Sequence, residues 1–194
     1  FRYIATNGVM SAGKVRWLAQ RFDLIGLSCD GPPDVQGQQR PLPGGASSAP
    51  YVERTARTLH EVGARLHVRV TVTPATLYRQ VEIADYVCRV LRPEEIHVEP
   101  VYPVGRAAIG VRFDVAQAAA FTAEFWHARA AAQAFGVQWL ATGSRPDEVH
   151  GAYCQVFRDV LQLVPGNAAS ACLRVSRAEA AQAAGVQVGT AAGK

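Results

Sequence analysis

Residues 23–33 read DLIGLSCDGPP. Leu24 to Leu27 is a short apolar run with a glycine in it, the pattern of a buried strand. The run ends in Ser28, Cys29, Asp30, Gly31 and Pro32, polar groups followed by a Gly-Pro break. Side chains alternate along a strand, so Ser28 and Asp30 share one face and Cys29 takes the other. In parallel α/β folds, ligands gather at the C-terminal ends of the strands. A hydroxyl and a carboxylate at that position are candidates for binding or chemistry. The plain alternative is an ordinary Asp-Gly-Pro turn.

On either side of this stretch, strand and helix patterns alternate. Tyr3 to Thr6 reads as a strand, and Ser11 caps a helix carrying Val15, Leu18 and Phe22. Pro41 to Pro50 is rich in Pro, Gly and Ser and reads as a long surface loop. Tyr51 to Val62 has helical spacing and stops at Gly63. His67 to Thr73 is a strand of β-branched residues. Thr73 then caps a helix that opens on Pro74 and carries Leu77, Val81, Ala84, Cys88 and Leu91 on one stripe. Ile96 to Val101 is the next strand. Asp114 caps a long helix with Ala118, Phe121, Phe125, Ala128, Ala132 and Phe135 on one face. Val137 to Ala141 reads as a last barrel strand or an edge. Strands separated by helices of this length imply parallel βαβ units.

Beyond Ala141 the pattern changes. Ser144 to Gly151 is a polar connector. Asp159 to Val164 and Ala168 to Arg174 flank Pro165-Gly166-Asn167, which reads as a β-hairpin. Ser176 with Glu179 forms a capping box for an Ala-rich helix ending at Gly185. Gly189 to Lys194 is small and polar and reads as a disordered tail. The expected division is residues 1–141 as an α/β unit and 142–194 as a small hairpin-and-helix unit.

Composition bounds the function classes. The 194 residues are 49% hydrophobic and 19% charged, with a net charge of +4, as in a globular protein. No basic run is interleaved with aromatics, which argues against nucleic acid as a partner. No apolar stretch is long enough to span a membrane, and no signal peptide is visible. The four cysteines lie far apart with no Cys-x2-Cys, so a disulfide framework is not indicated and a reducing, cytoplasmic setting is the default. The chain opens on Phe1 beside a strand and reads as a segment of something longer.

Period-2 alternation splits the strands into two faces. Val68, Val70 and Val72 share one face of their strand; His67, Arg69, Thr71 and Thr73 share the other. In the next strand Ile96 and Val98 oppose His97 and Glu99. In the second, Ile25 and Leu27 oppose Gly26, Ser28 and Asp30. The Val/Ile face suits a helix layer, and the other is polar. Closed barrels fill their interior with branched apolar residues. Arg69 and Glu99 instead imply a hydrated or ligand-filled space, because unpaired buried charge is costly. The alternative is a solvated face of a half-open sheet, with Arg69 and Glu99 paired across strands.

Three pieces in order carry a family resemblance: Thr6-Asn7-Gly8, then Ser28-x-Asp30-Gly31-Pro32-x-Asp34-Val35-x4-Arg40, then Arg69-x-Thr71-Val72-Thr73. Together they resemble the core of radical S-adenosylmethionine enzymes. The likeness is to the peptide- and protein-modifying group with a C-terminal SPASM-type cluster domain, which includes sulfatase-maturing enzymes. It runs from Phe1 to about Cys172. It implies a partial (β/α) TIM-like barrel, S-adenosylmethionine as cofactor, a peptide or protein substrate, and an electron donor of flavodoxin or ferredoxin type. It also implies cofactor contacts at the Thr6-Asn7 strand end, Ser28 and Arg69, the last facing the cofactor carboxylate. Asp30 and Glu99 join this set as polar groups of the same face, with Asp30 and Arg40 pairing to hold the loop or facing the peptide.

The resemblance further implies a 4Fe–4S cluster held by Cys-x3-Cys-x2-Cys. The sequence contains no such triplet, so the chain by itself is expected to be inactive. Cys154 and Cys172 flank the hairpin much as in the first half of a SPASM auxiliary-cluster motif, and are candidate cluster ligands converging on one side of it. Two incidental core cysteines are the alternative. Cys29 and Cys88 read as small buried hydrophobes. His60, His127 and His150 read as surface residues. A rival reading is a metal-dependent hydrolase on a TIM-like barrel using His67, His97, Asp30 and Glu99. A third is a non-catalytic peptide-binding scaffold.

Overall fold

A computed structural model describes residues 1–102, 112–142, 161–172, 175 and 177–190. The chain divides into two compact units, Phe1–Thr142 and Gly143–Lys194.

In the first unit, β1 (Tyr3–Thr6), β2 (Leu24–Ser28), β3 (Leu66–Val72), β4 (Glu95–Pro100) and β5 (Gln138–Ala141) form one parallel sheet in sequence order. Between them lie α1 (Ala12–Ala19), α2 (Pro33–Gln39), α3 (Ala49–Glu61), α4 (Gln80–Tyr86) and α5 (Val115–Gln133). The sheet is open: β1 and β5 are its edges, and no barrel closes among the described residues.

Alternation sets the layers. Val68, Val70, Val72, Ile96 and Val98 are fully buried, and cluster with Val52, Ala56 and Leu59 of α3, Ile83 and Ala84 of α4, and Phe125, Ala128 and Ala132 of α5. Side chains of aligned residues in parallel strands point the same way, so the register assigns the other face. Gly26 aligns with His67, Ser28 with Arg69, Arg69 with His97, and Thr71 with Glu99. Gly26 itself lies under an aromatic ring: a Cβ there would collide with the Tyr3 phenol.

Caps and prolines fix most element starts. Ser11 Oγ accepts from Lys14 N–H to open α1. Asp114 and Gln117 form a reciprocal capping box on α5. Thr73 and Thr76 do the same for the segment after β3, which begins as a 3₁₀ turn (Pro74–Arg79), continues as α4 and ends in a π-helical turn (Val87–Leu91). The single helix expected there is therefore composite. α3 starts at Ala49, inside the stretch expected to be loop, because Pro50 fits a first-turn position where its missing N–H costs nothing. α2 was not expected at all.

In the second unit, β6 (Gln162–Val164) and β7 (Ala168–Ser170) form the expected antiparallel hairpin. Gly166 and Asn167 supply its positive-φ turn. α6 (Ala178–Ala183) follows, with Arg177 at its N-cap, so the helix begins one residue later than a Ser176 cap requires; Ser176 lies outside the described residues. β8 (Gln187–Thr190) pairs with β7, which puts Gly189 and Thr190 of the expected tail in a strand, while its remaining residues 191–194 lie outside the described residues. Main-chain pairing does not require apolar side chains, so composition hid this strand. Cys154 and the expected connector Ser144 to Gly151 lie outside the described residues.

Candidate functional site at the polar face of the sheet

The loop after β2 is the most heavily bonded part of this face. Asp30 is buried, and its carboxylate accepts two bonds from Arg40, Nε at 2.7 Å and Nη2 at 3.1 Å. Asp30 Oδ1 also accepts Thr71 N–H at 2.9 Å. Arg40 Nη2 reaches Thr71 Oγ1 at 3.3 Å. Gln36 completes the knot: its Oε1 accepts Asp30 N–H at 2.8 Å and its Nε2 donates to Ser48 Oγ at 2.9 Å. Gly31 has φ +145°, and a Cβ there would lie 2.9 Å from Ile83 Cγ1, so glycine is required. The Asp-Gly-Pro stretch is thus a braced loop, and Asp30 holds the loop instead of offering a free carboxylate.

Beside it, Ser28 ends β2, half-buried. Arg69 Nη2 donates to Glu99 Oε1 at 2.7 Å, and the arginine side chain stays 38% exposed. Both the polar face and the cross-strand pair contemplated from the sequence are therefore present together. Thr142 continues the polar parity of β5 and donates its N–H to Val98 O. Its Oγ1 is buried without a hydrogen-bond partner, as is Gln39 Oε1, whose amide nitrogen bonds Thr71 O. Two buried polar atoms without a partner, one just past β5 and one on α2 beside Thr71, thus accompany a partly exposed guanidinium midway along β3. These groups call for hydrogen-bond partners, and the guanidinium suits an anionic group.

Thr6 and Asn7 are spent on the turn after β1. Thr6 Oγ1 accepts Gly8 N–H at 3.2 Å, and Asn7 Oδ1 accepts Val9 N–H at 3.1 Å. Thr6 also aligns with Leu27, which puts its side chain on the helix-facing parity.

The cysteines do not fit the radical-generating cluster. Cys29 and Cys88 belong to the buried core on the helix side of the sheet. Burial pushes the Cys29 thiol up to about 12 and the Cys88 thiol up to about 11. Cys172 is a free, half-buried thiol whose backbone bonds Ser170 Oγ. Its convergence with Cys154 falls outside the described residues.

The ligand set of the hydrolase reading does not assemble, because Asp30 and Glu99 are held by Arg40 and Arg69. Instead, His67 and His97 stack with centroids 5.4 Å apart, and both face Glu95. Burial lowers the His67 pKa below its ordinary value. β4 begins at Glu95, one residue ahead of the apolar signal that starts at Ile96, so Glu95 carries no sequence mark of its own beyond the one-face spacing Glu95-x-His97. His60 is also corrected: its Nε2 bonds Leu91 O at 2.7 Å and is not a bare surface group.

Fold and face together define an open parallel α/β core with a charged surface on one side of the sheet. No family model matches the chain, but solved structures share its fold. Polyhistidine-tagged anSMEcpe with bound AdoMet matches at TM-score 0.70 and 13% identity, over 97% of this chain and 53% of that one. Native anSMEcpe with bound AdoMet and Kp18Cys peptide matches at TM-score 0.61 and 17% identity, over 72% of this chain and 40% of that one. Streptococcus suis SuiB bound to S-adenosylmethionine matches at TM-score 0.65 and 16% identity, over 88% of this chain and 42% of that one. This chain spans about half, or less, of the length of these proteins. At such identities the likeness establishes a shared fold.

Proposed function

We propose that this chain is part of a radical S-adenosylmethionine enzyme that modifies a peptide or protein. The observation that carries this reading is the polar face itself: Ser28, the Arg69–Glu99 pair and the orphaned acceptors of Thr142 and Gln39, on a parallel core. It is supported by the ordered sequence resemblance and by fold neighbours that are radical S-adenosylmethionine peptide-modifying enzymes.

On this reading Arg69 meets the cofactor carboxylate, Glu99 holds Arg69 in place and faces the cofactor amine, and Ser28 contacts its polar body. Thr6, Asn7 and Asp30 shape the loops around them. S-adenosylmethionine supplies a 5′-deoxyadenosyl radical when it is cleaved reductively, while the protein supplies binding and orientation. The cluster ligands and the electron donor, of flavodoxin or ferredoxin type, come from outside these 194 residues. A peptide or protein substrate, a cytoplasmic setting and an auxiliary cluster involving Cys154 and Cys172 belong to the same proposal.

The test is anaerobic reconstitution of the full-length protein with iron and sulfide under strong reductant. It is expected to release 5′-deoxyadenosine, with Ser28→Ala and Arg69→Met weakening cofactor binding. Protein with intact clusters that releases none would overturn the reading.

A further inference from the structure

The N-terminal end of the polar face carries a second cluster that the proposed function leaves unused. His67 and Glu95 are aligned partners at the starts of β3 and β4, and His97 lies two residues along on the same face as Glu95. Both histidines aim Nε2 at one carboxylate oxygen, Glu95 Oε2, at 3.6 Å from His67 and 3.2 Å from His97. Three ligand atoms, one from each residue, lie within 4.8 Å of one another, the one such trio found among the described residues. From this geometry we propose that His67, Glu95 and His97 bind a divalent transition-metal cation of the zinc type, tying β3 to β4.

Three observations carry this. First, the spacing is close to a finished site. Zinc bonds of 2.0–2.2 Å in a tetrahedron put neighbouring ligand atoms about 3.4 Å apart, so the two distances to Glu95 require little movement. Second, His67 Nε2 is buried with no hydrogen-bond partner. A buried imidazole nitrogen left unpaired is unfavourable, and a metal bond removes that penalty. Third, the donor set is right for such a cation. Two imidazoles and one carboxylate suit zinc, nickel, copper or ferrous iron and are poor ligands for calcium or magnesium.

The surroundings tolerate the added charge. Arg69 is the aligned neighbour of His97 but is paired with Glu99 at 2.7 Å. On the flanking strands, Gly26 aligns with His67 and Leu140 with His97, and neither bears a charge. Glu95 and His97 side chains are each about one-third exposed, which leaves a fourth position open to water.

The test uses the 194-residue chain without a polyhistidine tag, stripped with chelator and titrated with Zn2+ by calorimetry. The expected result is one equivalent bound, a melting temperature that rises with Zn2+, and visible ligand-field bands when Co2+ is substituted. Glu95→Gln and His97→Gln are each expected to weaken binding by at least about 10-fold, the smaller end of what loss of even an outer-shell partner costs. Glu95→Gln is isosteric at a partly exposed position, so it decides the matter if a histidine variant fails to fold. Absence of saturable binding, or binding unchanged in Glu95→Gln, overturns the proposal. S-adenosylmethionine is not needed for any of these readouts, so the outcome is separate from that of the proposed function.

Discussion

Asp30 shows why one ion pair differs from another. Its carboxylate is buried and takes three hydrogen bonds, two of them from Arg40. Arg40→Met strands that charge in the interior and is expected to cost about 3 kcal/mol in urea denaturation. Arg16 and Glu61 meet at 3.8 Å with both side chains about half exposed. Arg16→Met is expected to cost less than about 0.5 kcal/mol in the same measurement. Cys29 makes a second prediction at this scale. Its ordinary thiol value of 9.0 rises to about 12 on burial, so the folded chain keeps a proton that the unfolded chain loses. The associated stability is intact below about pH 9 and fades as pH climbs toward about 12. Iodoacetamide at about pH 8 should leave Cys29 unmodified in native protein and label it fully in urea, as read by peptide mass spectrometry. Labelling of native Cys29 at the unfolded rate would contradict its place in the core. The faces of Ser28, Arg69 and Glu99 were legible in the sequence because alternation is a local rule. The full bonding of Asp30 was not, because Thr71 lies 41 residues away.

The elements visible in the sequence are those with a repeating apolar signal. β3 alternates without a break, and every second residue is buried. α2 has no such signal: its one buried apolar residue is Val35, and Gly37 sits within it. What holds it is Gln36, fully buried and bonded to Asp30 N–H and Ser48 Oγ. Gln36→Leu is expected to destabilise the chain by about 2 kcal/mol, because the Asp30 amide loses its acceptor. Hydrogen exchange at the Asp30 amide should accelerate well beyond the global change. If that amide stays as protected as in the parent chain, α2 is held by something other than Gln36. β8 was hidden for a related reason: its residues are all exposed, and backbone pairing to β7 alone marks it.

At the scale of the whole molecule, the sheet of the first unit divides its labour along the strands. One face is sealed by helices and supplies the core. The other carries the sheet's charged side chains, with the His67–Glu95–His97 trio at the strand starts and, further along, the Arg69–Glu99 pair level with Ser28 at the end of β2 and Thr142 just past β5. The sequence made this polarity readable but left open what fills the space, and among the described residues β1 and β5 are open edges and the sheet does not close on itself. The central claim is that the strand-end part of this face receives S-adenosylmethionine. Titrating the cofactor into isotope-labelled chain and following backbone amide shifts tests it most directly. The account predicts saturable shifts at Ser28, Arg69, Glu99 and Thr142, with His67 and Glu95 unmoved. Shifts absent at millimolar cofactor, or confined to the helix-facing residues or the strand starts, would contradict it.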